Sequence, residues 1–149
     1  DLLQQKLAEV QKEKLKAQNE AIKQWNEEQK LRLMTFKNSE VYQELLQASK
    51  DETYNMTPMK HPGKWMTIQE HIDSIYPDFT DRLHKLCPTL SDRDLQVCYL
   101  TKLGMSPSDI SRVLKQSRQA ITNIRKRIMQ KIEQITPKSS NFDHFIEDF

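Results

Sequence analysis

The first 36 residues contain neither glycine nor proline, so they can form one long uninterrupted helix. The rest of the chain is also poor in helix breakers, with only two glycines among all 149 residues. Lys, Glu and Gln, which favour helices, are abundant instead. We therefore predict an all-α protein in which a long N-terminal, coiled-coil-like helix precedes a helical bundle.

Apolar residues recur along residues 1–36 at the spacing of a coiled coil. Two seven-residue series occur, offset by four, with the apolar members Leu3, Val10, Ala17 and Leu31 in one and Leu7 and Ala21 in the other. Gln24 and Lys14 interrupt these series, and Leu15 and Ile22 lie off them. A helix this polar is marginal alone in water. We expect it to pair with a second copy as a homodimer or to continue from an upstream element; a solvated single helix is the alternative.

Breakers divide the remainder into three segments. Residues 37–66 are predicted to form one helix, capped by Ser39, followed by an irregular connector rich in proline. Residues 67–138 are predicted to be the compact unit. Residues 139–149 form an acidic and aromatic tail.

Capping signals set the expected helix starts within the compact unit. Thr67 and Glu70 form a capping box, and Asp78 is predicted to cap the next helix. Ser91 is predicted to open a third helix, which Gly104 ends.

The tail combines three acidic residues with a helical repeat of large apolar ones, namely Phe142, Phe145, Ile146 and Phe149. Four such side chains together in water invite association. We expect them to dock as a short helix in a groove, either near the 39–66 segment with its Trp65 or on a second chain. A disordered end is the alternative.

Residues 106–132 carry the pattern with the most functional content. Ser106 and Pro107 are suited to begin a helix, and Ser117 can cap a second helix after a three-residue break. Seven Lys or Arg and no acidic residue occur in 111–132. An apolar-striped short helix, a tight turn and a basic polar helix are typical of a helix-turn-helix, whose second helix reads DNA.

The residue types on this second helix suit duplex DNA. Arg pairs with guanine, Asn and Gln pair with adenine, and cations and hydroxyls bind phosphates. The predicted base contacts are Arg118, Gln119, Thr122, Asn123 and Lys126. The predicted phosphate contacts are Ser106, Ser108, Lys115, Ser117, Arg125, Arg127 and Lys131. A solvated basic helix face is the simpler alternative.

A run of short motifs resembles the LuxR-type helix-turn-helix DNA-binding domain over about residues 89–133. The motifs are Leu90-Ser91-Asp92-Arg93-Asp94-Leu95-Gln96-Val97, Gly104-Met105-Ser106, Asp109-Ile110, Val113-Leu114 and Ser117-Arg118-Gln119-Ala120-Ile121. The chain is similar, more closely, to uncharacterised Bacteroidetes regulators with a helical segment before this domain. Asp94, Ser111 and the pair Ala120-Ile121 replace the Glu, Ala and Thr-Val that are usual there, and these changes suit a core.

This resemblance implies a sequence-specific DNA-binding transcriptional regulator, the output domain of a larger protein. In the resembling regulators the preceding helix commonly follows a transmembrane segment and a sensor domain. The implied location is cytoplasmic, either free or as the cytoplasmic part of an inner-membrane protein. The chain starts at Asp1, and we expect it to be a fragment that lacks its upstream sensor. In a homodimer, two reading helices would face half-sites about 34–36 Å apart.

Several other classes of function lack sequence support. No nucleophile with an adjacent base and no glycine-rich phosphate loop is evident, so neither an enzyme nor a cofactor is predicted. The four histidines are scattered, and no metal site is predicted. Cys87 and Cys98, without a CxxC motif, are interpreted as reduced core residues. Two alternatives remain: a protein-interaction module that binds an acidic partner through the 118–131 face, and a structural coiled-coil protein.

Overall fold

The computed structural model describes residues 1–135 and 141–149, which form eight helices and no strand. In chain order the helices are α1 (Leu2–Lys37), α2 (Glu40–Lys50), α3 (Pro62–Ile75), α4 (Phe79–Leu86), α5 (Asp92–Lys102), α6 (Pro107–Leu114), α7 (Arg118–Glu133) and α8 (Phe142–Asp148). The predicted all-α class with a long N-terminal helix is confirmed. The predicted helix stop at Pro137 and the boundary at residue 138 lie outside the described residues. No described helix is long and apolar enough to cross a membrane.

Helix α1 projects from the body of the protein and contacts it only near its C-terminal end. Every side chain in residues 1–28 is exposed. Near the other end Phe36 is 1% exposed, and Leu33 packs against the core. The Arg32 guanidinium donates a 2.9 Å hydrogen bond to the Ser74 carbonyl at the end of α3. The projecting part is therefore held by its last two turns.

Helix α2 belongs to the same body as α6, against which it packs. Arg112 Nε donates to the Ser49 carbonyl at 2.5 Å, and Lys115 Nζ donates to the Glu52 carbonyl at 2.6 Å. Cationic side chains stabilise a helix C-terminus, where carbonyls lack helical partners. These two bonds therefore fasten the end of α2 to α6 and to the residue that follows α6.

Helix α3 begins five residues before the predicted start at Thr67. Its first residue is Pro62, after His61 at the N-cap position, and the Thr67 hydroxyl donates to the Gly63 carbonyl at 3.2 Å instead of capping. Proline is tolerated in a first helical turn because the N–H it lacks would have no helical partner there. The predicted capping box is therefore wrong, and the predicted boundary after residue 66 falls inside a continuous helix.

Helix α4 starts where predicted, but its capping hydrogen bonds differ from the prediction. Asp78 occupies the N-cap position, but its backbone is left-handed, with φ of 58°, and its side chain makes no capping hydrogen bond. Asp73 in α3 supplies the acceptor: its carboxylate receives both the backbone N–H and the hydroxyl of Thr80, each at 2.8 Å. A cap from the preceding helix thus replaces the expected local one.

One apolar core joins α2 to α8 with the end of α1. Its largest fully buried members include Ile68, Ile72, Phe79, Leu83, Leu100, Ile110, Ile121, Ile128 and Ile132. Both cysteines are free thiols in this core, and burial raises the pKa of Cys87 and, more strongly, of Cys98. A buried thiol with a raised pKa is a poor nucleophile. The core interpretation of both cysteines is confirmed.

The tail forms the predicted short helix, α8, but not in the predicted place. It packs against α5 and α7 rather than near the 39–66 segment. Phe142 and Ile146 are buried, and the Phe149 ring meets Phe79 edge-on at a centroid distance of 5.8 Å. The groove near Trp65 was therefore the wrong prediction.

Polar contacts hold both ends of α8. Lys102 Nζ donates to the carbonyls of Ile146 and Glu147 at 3.0 and 2.8 Å, which places a cation at the helix C-terminus. Burial lowers the pKa of Lys102, and nearby Arg82 lowers it further. At the other end Asp143 pairs with Arg125 of α7 at 2.7 Å.

We predict that Ile146→Ala detaches α8 without unfolding the body. A helix of seven residues is not stable alone, so its structure depends on docking. The loss of global stability should stay below the roughly 2–5 kcal/mol typical of a core Ile→Ala change, because the tail can leave a folded body. Amide hydrogen exchange of residues 142–149 should accelerate strongly, whereas the exposed control Glu147→Gln should retain protection. Unchanged protection in Ile146→Ala would contradict the docked helix.

Candidate nucleic-acid interface

Helices α6 and α7 are joined by the short break predicted from the sequence. Ser106 caps α6 by accepting the Asp109 N–H at 3.2 Å, and Ser117 caps α7 by accepting the Ala120 N–H at 3.0 Å. Between them Lys115 adopts a left-handed conformation, with φ of 52°. This left-handed residue ends α6, and the predicted three-residue connection is confirmed.

The inner sides of both helices are apolar and buried. The buried residues are Ile110, Val113 and Leu114 in α6 and Ile121, Ile124, Ile128, Met129 and Ile132 in α7. Helix α7 packs on α5, α6 and α8, so three neighbouring helices fix its rotation. The opposite side of α7 must therefore face outward.

The outward side of α7 carries amides and one cation. At about 3.6 residues per turn, Gln119, Asn123, Lys126 and Gln130 fall on one stripe, and all four are exposed. Gln119 Nε2 donates to Asn123 Oδ1 at 2.9 Å. This bond does not use the Gln119 carbonyl oxygen or the Asn123 amide hydrogens, and both residues are exposed. The amide pair therefore offers one acceptor and donors side by side, the complement of the adenine major-groove edge.

The predicted base contacts are not all on this stripe. Gln119, Asn123 and Lys126 are brought together, and Arg118 is exposed beside them at the start of α7. Thr122 is instead half-buried and lines a groove of about 310 Å³ between α7 and α8. Gln130 belongs to the stripe but was not predicted; its position seven residues after Asn123 is the signal that could have found it.

Arg125 does not contribute to the outward surface. Its side chain is only 20% exposed, pairs with Asp143 at 2.7 Å and lies over the Phe142 ring at 5.2 Å. The predicted phosphate contact at this position is therefore directed to α8 instead. The sequence pattern did not reveal this, because the partner Asp143 follows eighteen residues later, in a separate helix.

Two other predicted phosphate-binding cations are held by contacts within the chain. Arg127 pairs with Asp94 at 2.5 Å while half of its side chain remains exposed. Lys115 donates to the Glu52 carbonyl. Lys131 is half-buried on the last turns of α7. These cations therefore lie beside the outward stripe of α7 and not on it.

The predicted serine contacts have structural roles. The hydroxyls of Ser106 and Ser117 accept capping hydrogen bonds, although both residues stay exposed. Ser108 is partly buried, and its carbonyl accepts from the Ser111 hydroxyl at 2.7 Å.

Asp94 links α5 to α7 and was not recognised as a site residue. It is 1% exposed, and it forms a capping box with Ser91 through hydrogen bonds of 3.0 and 3.1 Å. Its other carboxylate oxygen binds Arg127 of α7. A buried carboxylate needs such partners. This acid thus orients a cation beside the outward stripe.

A broad cleft of about 1010 Å³ lies alongside α7, between the start of α5 and the 55–59 connector. Its cationic walls come from Arg93, Lys115 and Arg127, opposed by Asp92. Among the described residues, no group of three or more His, Cys, Asp or Glu side chains could hold a metal ion. The polar lining of the cleft combines cations and amides with the Asp92 carboxylate and two hydroxyls.

Comparisons of this chain with protein-family models, with curated proteins and with solved structures gave no match. The resemblance to the LuxR-type domain thus remains a prediction.

We predict that Lys115→Gly is more stable than Lys115→Ala by about 1 kcal/mol, because only the alanine keeps a Cβ in the left-handed conformation. Both variants lose the bond to the Glu52 carbonyl, so the comparison isolates backbone strain. Urea unfolding measures the difference. At Gln130, which has a helical backbone near the end of α7, the same pair of substitutions should show the reverse order. Equal stability of the two Lys115 variants would contradict the strained turn.

Proposed function

We propose that this chain binds duplex DNA in a sequence-specific manner through the outward stripe of α7, as the output part of a transcriptional regulator. The observation that carries the proposal is the exposed amide pair of Gln119 and Asn123, between Arg118 and Lys126. No acidic residue occurs in α7 before Glu133. A surface that only needed solubility would have no reason to exclude acids.

The α6–turn–α7 arrangement supports a helix-turn-helix mode of docking. In that mode the N-terminal part of the second helix meets base edges in the major groove. The amide pair begins at the second residue of α7, so it lies at that end. Asn and Gln read adenine, and Arg118 next to them can pair with guanine. The proposed reading set is therefore Arg118, Gln119, Asn123 and Lys126.

Cations around α7 are suited to phosphates at the edges of the groove. Arg127 is positioned by Asp94 and Lys115 by the Glu52 carbonyl, so less side-chain freedom is lost on binding. The Asp94 carboxylate also offsets part of the Arg127 charge. We therefore assign Lys131 a larger share of the salt-dependent affinity than Arg127.

Selection of duplexes from a random pool by the full chain tests the proposal. Enrichment of a common short motif, with binding that weakens steeply as salt rises, is the expected result. Equal binding to all duplexes and to unrelated polyanions would overturn it and favour an acidic protein partner.

We predict that Asn123→Ala costs about 1–3 kcal/mol on the selected duplex and much less on random DNA, because the amide reads a base. Gln130→Ala removes a matched exposed amide two turns further along α7, away from the reading end. It should change neither affinity by more than about 0.5 kcal/mol. Fluorescence anisotropy with both duplexes gives the four values. An equal loss on both duplexes for Asn123→Ala would argue against base contact.

We predict that Lys131→Ala weakens binding to selected and random duplexes alike. One phosphate contact fewer should make the slope of log K against log salt less steep by about 0.9. Lys23→Ala, on the exposed part of α1, serves as a control of equal charge change and should leave the slope unaltered. A loss confined to the selected duplex would assign Lys131 to bases instead.

A further inference from the structure

Eight charged residues of α1 lie on one side of the helix, whereas Lys14 and Arg32 lie close to its opposite side. Four glutamates are each followed by a lysine three residues later, in the pairs Glu9–Lys12, Glu13–Lys16, Glu20–Lys23 and Glu27–Lys30. At about 3.6 residues per turn all eight fall on one broad strip. Such pairs stabilise an exposed helix surface. This strip is therefore the charged side of α1.

The opposite side of α1 is an uncharged seam, composed of Leu7, Gln11, Leu15, Gln18, Ile22, Trp25, Gln29, Leu33 and Phe36. Its steps of three or four residues average about 3.6, the period of a straight helix. Leu33 and Phe36 pack into the core, which identifies the seam as the continuation of the core-facing side. Leu31, which the heptad pattern placed in the pairing surface, is 64% exposed and lies towards the charged strip.

The body of the protein covers the C-terminal end of this seam. Burial begins at Gln29 and is complete at Phe36, and Arg32 is bonded to the end of α3. A second helix running parallel along the seam would meet the body at this end. A second helix running antiparallel over residues 2–28 would avoid it, because its own body would lie at the opposite end.

The exposed part of the seam is nearly symmetric about a point between residues 14 and 15. Reversing the helix about this point exchanges Leu7 with Ile22, Gln11 with Gln18, and Gln4 with Trp25. At the centre the match is imperfect, because Leu15 is exchanged with Lys14, whose aliphatic stem can pack on it. A two-fold interface requires such symmetry. If residue i of one copy contacts residue j of the other, then residue j of the first copy also contacts residue i of the second.

We propose that the uncharged seam of α1 binds the same seam of a second copy of this chain, in an antiparallel pair centred near Leu15. In this pair Leu7 packs on the partner's Ile22, and Gln11 and the partner's Gln18 can exchange amide hydrogen bonds.

The apolar side chains on and beside the exposed seam are Leu3, Leu7, Val10, Leu15, Ile22 and Trp25, each half-exposed or more. At about 60–120 Å² of apolar surface for each, the two chains together would bury roughly 700–1,400 Å². This reaches the lower end of specific interfaces. The dimer should therefore depend on concentration.

Leu15→Lys tests the position of the interface, with Leu31→Lys as the matched control. Leu15 is 58% exposed and Leu31 is 64% exposed, so neither substitution disturbs a core. Sedimentation velocity at about 10–100 µM should show a dimer for the unaltered chain and for Leu31→Lys. In the antiparallel pair Leu15 faces the partner's Lys14, so Leu15→Lys gathers four lysines near the two-fold axis and should give a monomer. A monomeric unaltered chain, or a dimer insensitive to Leu15→Lys, would overturn the proposal.

Disulfide trapping tests the orientation. When Leu7→Cys and Ile22→Cys chains are mixed and oxidised, the antiparallel pair should give the mixed disulfide. A parallel pair would join like with like and would overturn the proposed orientation. The native thiols are buried with raised pKa values, so they should react slowly.

This pairing is independent of DNA recognition. A Leu15→Lys monomer retains α7, so its preference among duplexes tests the proposed function whether or not the dimer exists.

Discussion

Burial of the isoleucine side of α7 determines the rest of the functional surface. Ile121, Ile128 and Ile132 are fully buried, and α5, α6 and α8 pack around them. This contact fixes the rotation of α7 about its own axis. The residues opposite the isoleucines are then exposed whatever their chemistry. Amides and a lysine at those positions are thus a property of the sequence that packing alone does not require.

Local sequence signals predicted the parts of the fold that depend on neighbouring residues. The caps at Ser91, Ser106 and Ser117 each need only a hydroxyl and an N–H a few residues away, and all three are present. The start of α4 at Asp78 was predicted, but the capping side chain was not, because the acceptor Asp73 comes from the preceding helix. Pro62 was likewise predicted to interrupt helical structure, but it is the first residue of α3. A proline ends or begins a helix according to which turn it occupies, and the sequence pattern did not distinguish the two.

The candidate site was predictable to a similar extent. Helical periodicity places Gln119, Asn123 and Lys126 on one side, and the fold keeps them there. It could not reveal that Arg125 and Arg127 bind Asp143 and Asp94, because both acids come from other helices. Charge counts overstate the cations available to a ligand when part of them already has partners. Neighbouring helices, rather than the count of Lys and Arg, decide which cations remain.

The projecting part of α1 has a consequence for the spacing of bound sites. Residues 2–28 form a rod about 40 Å long. An antiparallel pair would place one body at each end of this rod, further apart than half-sites on one turn of a duplex allow. Such a dimer would act as a bridge between separated segments of DNA. When one body binds its DNA segment, the second body is held close to the rest of the same DNA molecule. The length of the DNA loop between the two segments would then govern how often the second segment is bound.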